Sequence, residues 1–558
     1  MINKLRVGII VDDTNQSFLT HSLYMKSLNS VNYTVKCLVV QKTFRTTSDS
    51  LLSKTLDFIK RRGAKCFFDR LCFAIVENIE RLLVSRSLKY KEVFAKHSLA
   101  KFEVSKIYVN PIISKSGLVY YYSEEDIESI KKANLDVLIR GGSGILRGDI
   151  LNVCRLGILS FHHADNNLNR GGPPGFWEVF NREASTGFII QRLLSELDGG
   201  HVVFKGSIGT SFFYQLNLCR LYIKSSEFLH LFLEKLSINQ ATFEVLPKTP
   251  YSYLLYTTPT SYQTSTYLIK TLSFGIRKLI RKAMHKSYRW GVAYQFVEDW
   301  KDAVLWKSSV IKNPPYRFLA DPFVITQKGQ TVMFVEDYDY RTSRGMITAY
   351  DLKPNEHKEI GIALKEDFHL SYPFLIRTEN NLFMVPESHE NKDIRLYKCI
   401  DFPLKWELSQ ILMDGCSYAD SSVFFFKKKW WIFTNKDSSK LGEHNSELHI
   451  FYSDTLESNN WCSHPANPVI FDSKCARNGG LILSDDNIYR VHQKQGFDMY
   501  GESMGVSKIV ELTTSSYKEE IVFKIPAKFM KNIKGAHTLS FDSGVLCFDF
   551  VKVEDYRR

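Results

Sequence analysis

Between Leu156 and Gly200 the chain collects the residue types that proton transfer needs. His162 ends the apolar run that begins at Leu156. Asn166, Asn167, Arg170 and Gly171 then form a polar turn, and Pro173-Pro174 precede a helix-like segment. Thr186-Gly187 leads on to Asp198 within the tetrapeptide LDGG. A histidine and a distant carboxylate, each at the edge of an apolar strand and followed by a glycine-rich turn, suit an oriented acid–base pair.

Positioning such a pair calls for rigid strands, and the first half of the chain supplies their signals. Arg6–Val11 is an apolar run ending at Asp12-Asp13, Tyr33–Val40 is a second, and Leu135–Ile139 follows the helical pattern SEEDIESIKKAN. Strands alternating with helices predict an α/β domain with a parallel, Rossmann-like doubly wound sheet over residues 1–250. Ligands in such sheets sit beyond the carboxyl ends of the strands. The loop Gly141-Gly142-Ser143-Gly144-Ile145-Leu146 follows one such end, as a tight turn or as a ligand cradle. A basic, helical-looking insertion spans about 50–102. Its apolar residues Leu56, Ile59, Phe67, Leu71, Ile75, Ile79 and Leu82 recur at three and four, which predicts a packed face, with membrane-surface contact as the sharper alternative.

The motif residues resemble the formyltransferase family that uses 10-formyltetrahydrofolate, the family of sugar N-formyltransferases and of the methionyl-tRNA formyltransferase catalytic domain. Its frame falls without a gap on Ser160, His162, Arg170-Gly171, Pro174, Thr186-Gly187, Leu197-Asp198 and Gly200, and nine of these ten positions match. The exception is Ser160, where the family carries its catalytic asparagine. The resemblance implies that His162 shuttles the proton and Asp198 orients it. It gives Ser160 the place of the oxyanion donor, a group whose loss typically costs about 3–4 kcal/mol of transition-state stabilisation. It further implies that Gly142, Gly144, Ile145, Leu146 and Asp198 hold a 10-formyltetrahydrofolate cofactor; Asn166-Asn167 replace the family's Leu-Pro, and Asn166 and Arg170 of the polar turn are the expected acceptor-binding residues.

Residues 251–289 read as a linker carrying a basic amphipathic helix, YLIKTLSFGIRKLIRKAMHKSYRW, in which Arg277, Lys278, Arg281, Lys282 and Lys286 are offset from Leu272, Ile276, Leu279 and Ile280. Such a helix suits either a domain junction or an anionic membrane surface. From 290 to 558 the texture changes to paired short strands. Five pairs recur: 318–325 with 331–336, 369–376 with 381–387, 418–426 with 430–433, 476–484 with 488–492, and 535–541 with 545–550. Five β-rich units predict an all-β five-bladed propeller, with the strand from Gly291 as the closing one. This half resembles the propeller at the N-terminal end of plant glucosamine inositolphosphorylceramide transferases, through ADPFV, HLSYPF with VPES, Trp461 with HPxNP, and ARNGG. It also resembles arabinanase-like glycoside hydrolases. A propeller's inner strands converge on a central funnel, which directs Asp321, Ser371, Asp420 and Arg477 to one pocket, with Asp321, Asp420 and Arg477 as the expected substrate-binding residues. Asp321 and Asp420 match two of the hydrolases' three acids, but the third position carries Ala476-Arg477-Asn478, and glycoside hydrolysis needs a carboxylic acid there. Glu336 and Glu387 sit on later strands of their units, which predicts poor reach.

The 558 residues suffice for two or three domains, and a 44% apolar, 24% charged composition is that of a globular protein. Ten scattered cysteines without a CxxC predict neither a disulfide framework nor a metal site. The net charge of +13 is expected to be mostly solvated surface, with attraction to phosphate-bearing small molecules or lipids as the alternative, and without a nucleic-acid motif nucleic acid is not expected. With no signal peptide and no run of eighteen apolar residues, the expected location is cytoplasmic, with peripheral contact at the inner face of the membrane through the basic helices. Together these features predict a formyltransferase acting on a nucleotide- or lipid-linked amino sugar in bacterial surface-polysaccharide synthesis, its propeller recognising the glycan. The alternative is an altered formyltransferase fold whose propeller half is a carbohydrate-binding, glycosyltransferase-like or glycosidase-like module. The oligomeric state is left open.

Overall fold

The run Leu5–Val11 forms strand β1, and all its residues but Arg6 are buried, as expected of a strand covered on both faces. The computed structural model describes residues 4–42, 59–100, 102–195, 200–238, 243–484 and 487–557. These fall into two units, Met1–Leu272 and Ser273–Arg558.

In the first unit β1 is joined by β2 (Tyr33–Gln41), β3 (Ser105–Val109), β4 (Val137–Arg140), β5 (Ile158–His162), β6 (Ser185–Arg192) and β7 (His201–Gly209). The sheet order is β7-β6-β5-β4-β1-β2-β3. The pairings among β1 to β5 are parallel, and those of β6 with β5 and β7 are antiparallel. The chain leaves β1 towards β2 on one side and returns to β4 on the other, so the order reverses at the carboxyl end of β1.

Seven helices matter here: α1 (Phe18–Ser27), α2 (Ala64–Val84), α3 (Leu88–Phe94), α4 (Glu124–Lys132), α5 (Phe176–Asn181), α6 (Tyr214–Ile238) and α7 (Ser261–Ala283). Helix α4 shows why its sequence is helical. The Ser123 hydroxyl accepts from the Asp126 N–H at 3.2 Å, acids fill the first turn, and Lys131 and Lys132 close the last, each matching the helix dipole.

The insertion departs from the packed face its periodicity predicts. Helix α2 buries Phe73, Val76, Glu80 and Val84, whereas Leu71, Ile75, Ile79 and Leu82 are exposed. The reason is polar. The Glu80 carboxylate accepts from the Gln215 N–H at 3.0 Å and from the Tyr267 hydroxyl, so the acid turns inward and the apolar stripe turns out. Leu56 lies outside the described residues.

The second unit is a succession of small antiparallel sheets. Sheet I joins Lys286–Phe296, at the start of the unit, to Val545–Asp555 along eleven residue pairs, with Ser309–Val310 and Leu539–Asp542 on its flanks. Sheet II holds Arg317–Gln327, Gln330–Asp339, Arg344–Lys353 and Glu356–Leu364. Sheet III holds Ser371–Arg377, Leu382–Ser388, Asp393–Asp401 and Lys405–Asp414. Sheet IV is built on Tyr418–Phe426, Lys429–Lys436 and Glu447–Ser453. Sheet V holds Asn478–Ser484, Asn487–Gly496, Met499–Leu512 and Tyr517–Pro526. Tight hairpins set the register. Lys328-Gly329, Lys427-Lys428 and Ser543-Gly544 each place two residues at positive φ between paired strands, the twist-matched two-residue turn. The core between sheets is aromatic and aliphatic, with Trp431, Phe433, Tyr372 and Val385 buried in one cluster.

Candidate functional site

In the first unit, a cavity of about 170 Å³ opens beside the end of β5 and is lined by Ser160, His162, Ile145, Leu146, Arg140 and Arg147 among others. The strand places Ser160 opposite Gln191 and His162 opposite Ile189. The Ser160 hydroxyl donates to the Phe161 carbonyl at 3.2 Å. The His162 Nε2–H donates to the Asn169 carbonyl at 3.0 Å, which fixes the tautomer. Asp198 and Leu197 lie outside the described residues.

The glycine loop is a tied turn. Asp12 accepts from the Ser143 N–H and hydroxyl at 3.0 Å, and Arg140 donates to the Gly144 carbonyl at 2.6 Å. Gly144, at φ +85°, has room for no side chain, because a Cβ would stand 2.5 Å from the Tyr120 ring. Ile145 and Leu146 reach the cavity wall from this loop; Gly142 packs instead against Gln41 and Asp12. Asn166 and Arg170 bond each other, the guanidinium donating to the Asn166 carbonyl at 2.9 Å while lying 4.6 Å from the Tyr251 ring centre. The following turn is covered by the chain itself, with the Gly172 N–H donating to Tyr256 and Trp177 stacked on the Tyr256 ring at 4.6 Å. This turn is therefore occupied by residues 251–256.

The second unit concentrates charge where the leading strands of its sheets begin. Three of those strands carry a bulge that re-aims a side chain, at Ala320/Phe323, Ser371/Phe374 and Ala419/Ser422, while that of sheet V shifts register at a glycine, between Asn478 and Gly480. At each bulge one residue takes positive φ: Asp321 (47°), Tyr372 (45°) and Asp420 (47°). A bulge leaves its extra residue out of the ladder and re-aims its side chain.

Two linked groups result. In the first, His537 is the hub. Its Nδ1 lies 2.5 Å from Asp549 and its Nε2 3.6 Å from Asp321, and Trp290 stacks on its ring at 3.8 Å. Asp321 also accepts from the Thr538 hydroxyl at 2.7 Å. Burial pulls the imidazole towards neutrality, but the two carboxylates outweigh it and hold His537 above its ordinary range. The ligand atoms of Asp321, His537 and Asp549 lie within 4.8 Å of one another, a spacing compatible with a cation, although the imidazole already bridges the two acids.

In the second group Arg477 is the hub. Its Nε donates to Asp420 at 2.6 Å, its Nη2 stands 3.7 Å from Glu387, its Nη1 donates to Asn445 at 3.1 Å, and its plane lies 4.6 Å from the Tyr500 ring. Gln493 donates to Asp420 at 3.0 Å, and Glu387 accepts from the Asp420 N–H at 3.0 Å and meets His389 Nδ1 at 2.6 Å. Burial pushes the Glu387 carboxyl up, but His389 and Arg477 prevail and hold it well below the carboxylate range. Glu336, facing Asp321 and Glu387, is pushed well above that range by burial and by those charges.

Asp321, Asp420 and Arg477 thus reach one polar centre, as does Glu387, whose expected poor reach is corrected. Its register explains this: Glu387 pairs directly with Ser371 on the leading strand, so it sits at the same level as the bulges. His537, His389, Gln493 and Tyr500 escaped the sequence reading. The sole available signal was their position near strand starts and ends in GAHT, ESHE, VHQK and MYGE. Asn445, Arg477, Tyr500 and His389 are partly exposed and form the solvent side, with the acids behind them.

Residues 290–545 match the family model described as glucosamine inositolphosphorylceramide transferase 1, N-terminal. A protein of Oryza sativa subsp. japonica named glucosamine inositolphosphorylceramide transferase 1 is 37% identical over 210 residues, which is 37% of this chain and 28% of that protein. Its Arabidopsis thaliana namesake is 33% identical over 219 residues, 38% of this chain and 28% of that protein. The chain therefore spans little more than a quarter of the relatives it matches. Among solved structures, a family 117 glycoside hydrolase from Zobellia galactanivorans aligns with TM-score 0.32 at 11% identity, covering 48% of this chain and 91% of that one. A formyltetrahydrofolate deformylase from Pseudomonas syringae aligns with TM-score 0.25 at 11% identity, covering 42% and 62%. The sequence relatives correct the expected function. They are plant proteins named as glucosamine inositolphosphorylceramide transferases, so formyl transfer from 10-formyltetrahydrofolate in bacterial polysaccharide synthesis does not stand as the activity of this chain.

Proposed function

We propose that the chain is a transferase in the glycosylation of a lipid and that its second unit, a five-bladed β-propeller, recognises the sugar-bearing headgroup at the Arg477 centre. One observation carries this reading: the range matched to the transferase family contains Asp321, Glu387, Asp420, Arg477 and His537, the residues that converge. The chemistry of the centre supports it. Sugar hydroxyls both donate and accept, and the solvent side offers guanidinium and amide donors beside buried carboxylates, with the Tyr500 ring for the apolar face of a pyranose. Arg477 stands where the hydrolases place their acid and is committed to Asp420, which favours recognition over hydrolysis. In this reading the first unit is a doubly wound, formyltransferase-type α/β domain kept for its fold.

The test is calorimetry of the full chain with methyl glucosaminide and with myo-inositol phosphate, in wild type, Asp420→Asn and Arg477→Lys. Binding by wild type that weakens at least tenfold in both variants is the expected result. A wild type that binds neither probe overturns the reading.

A further inference from the structure

Helix α7 contains no acidic residue across its 23 positions and carries Lys270, Arg277, Lys278, Arg281 and Lys282. At 100° per residue, Ile269, Leu272, Ile276, Leu279 and Ile280 fall within one arc of about 100°. Each is between 51 and 69% exposed, and Tyr262, on the same arc, is 79% exposed. The helix is anchored from its other side. Its two buried residues are Thr264 and Tyr267, and the Tyr267 hydroxyl donates to Glu80 while accepting from the Tyr214 N–H at 2.8 Å. The Ser261 N–H donates to Asp69 of α2 at 2.6 Å, and Lys270 donates to the Phe180 carbonyl at 3.1 Å. Anchoring thus uses one face and leaves a continuous apolar face in water. Helix α2 does the same, turning Phe68, Leu71, Ile75, Ile79 and Leu82 outward.

Isolated exposed apolar residues are ordinary, but a stripe three turns long on a helix without acids is not. We propose that the exposed stripe of α7 lies on an anionic lipid surface, its isoleucines and leucines entering the headgroup boundary and Arg277, Arg281 and Lys282 meeting lipid phosphates and carboxylates. The charge decides between occupants. A second copy of this chain would bring Arg277, Arg281 and Lys282 against their own counterparts. An anionic bilayer supplies counter-charge and apolar depth together. No helix among the described residues is long and apolar enough to cross a membrane, so the contact is one of lying on the surface. The contact needs no glycolipid.

The experiment is co-sedimentation of the full chain with vesicles of phosphatidylcholine alone and of phosphatidylcholine mixed with phosphatidylserine, at low and high salt. Wild type is expected to bind the mixed vesicles at low salt, to release at high salt, and to ignore the neutral ones. Arg277→Ala with Lys282→Ala is expected to weaken partition about thirtyfold, since each base near such a surface contributes about fivefold. Leu272→Asp with Leu279→Asp is expected to abolish binding while leaving the circular dichroism spectrum and melting point unchanged, because both sites are exposed. Separately, Leu272→Trp should give a blue-shifted emission on mixed vesicles. Wild type that stays in solution with mixed vesicles at low salt overturns the proposal. So does a wild-type dimer that Leu272→Asp splits into monomers, since that would make the stripe a contact between copies.

Discussion

Replacing Arg477 by methionine tests whether the polar centre is held together by one cation. The guanidinium lies 2.6 Å from Asp420 and 3.7 Å from Glu387, and both carboxylates are buried. Methionine keeps the stem and removes the charge, leaving the Glu387 carboxylate with only His389 as counter-charge, and Asp420, which burial and Glu387 already push well above its ordinary range, with only Gln493 in support. Breaking a buried ion pair from one side costs about 3–5 kcal/mol, because the remaining charge has lost its partner and cannot recover water. For a unit of this size that corresponds to a fall in melting temperature of about 6–20 °C. The assay is urea and thermal unfolding at neutral pH of wild type, Arg477→Met, Asp420→Asn and the double variant. Asp420→Asn should recover part of the loss in the Arg477→Met background, since it removes the acid that has lost its partner beside Glu387, giving a coupling energy of about 1–3 kcal/mol. A single variant that loses less than about 1 kcal/mol, or a double variant whose effects simply add, would refute the argument that Arg477 neutralises the pair.

Other consequences are quicker to check. Burial holds His163 down to about 3, beside Ser225 at 3.2 Å, so the unfolded chain takes up this proton first. Stability of the first unit should therefore fall as pH drops from about 6.5 towards 3, and His163→Leu should flatten that slope in pH-dependent urea titrations. The opposite sign applies at His389, raised above its ordinary range by Glu387: its contribution is complete below about 6.5 and fades as pH rises through the folded value. His389→Gln should remove that alkaline-side loss. Gly144→Ala places a methyl group against the Tyr120 ring at positive φ and should cost about 1–3 kcal/mol in unfolding experiments. Tyr267→Phe removes a hydroxyl that serves both Glu80 and Tyr214, and should destabilise the first unit by about 1–3 kcal/mol.

The mixed α/β first half and the β-rich second half were legible because their signals are local. The buried run of β1, the capped and charge-graded α4, and the paired apolar runs of sheets II to V need nothing beyond neighbouring residues to be read. What periodicity could not give was direction. The stripe on α2 has the right spacing, but a buried Glu80 bonded to Tyr267 and Gln215 decides which face goes in, and those partners lie more than a hundred residues away. The centre of the second unit was legible in part. Asp321, Asp420 and Arg477 sit on strand starts, while Glu387 and His537 depend on strand register and on a contact between sheets. The frame around His162 located a cavity faithfully, yet a preserved frame does not preserve a reaction, and Ser160 was the residue that departed from it.

The pairing of Lys286–Phe296 with Val545–Asp555 has a consequence in time as well as space. The two partners are separated by roughly 260 residues of chain, so at ordinary synthesis rates the earlier strand waits on the order of 15–50 s for the later one. During that interval its hydrogen-bonding edge is open to any passing strand. Sheets II to V, each built from neighbouring hairpins, can assemble meanwhile on the emerging chain. Birth of this unit is therefore a sequence of quick local events followed by one long-range docking step, and it is in that interval that the nascent chain is most exposed to wrong partners.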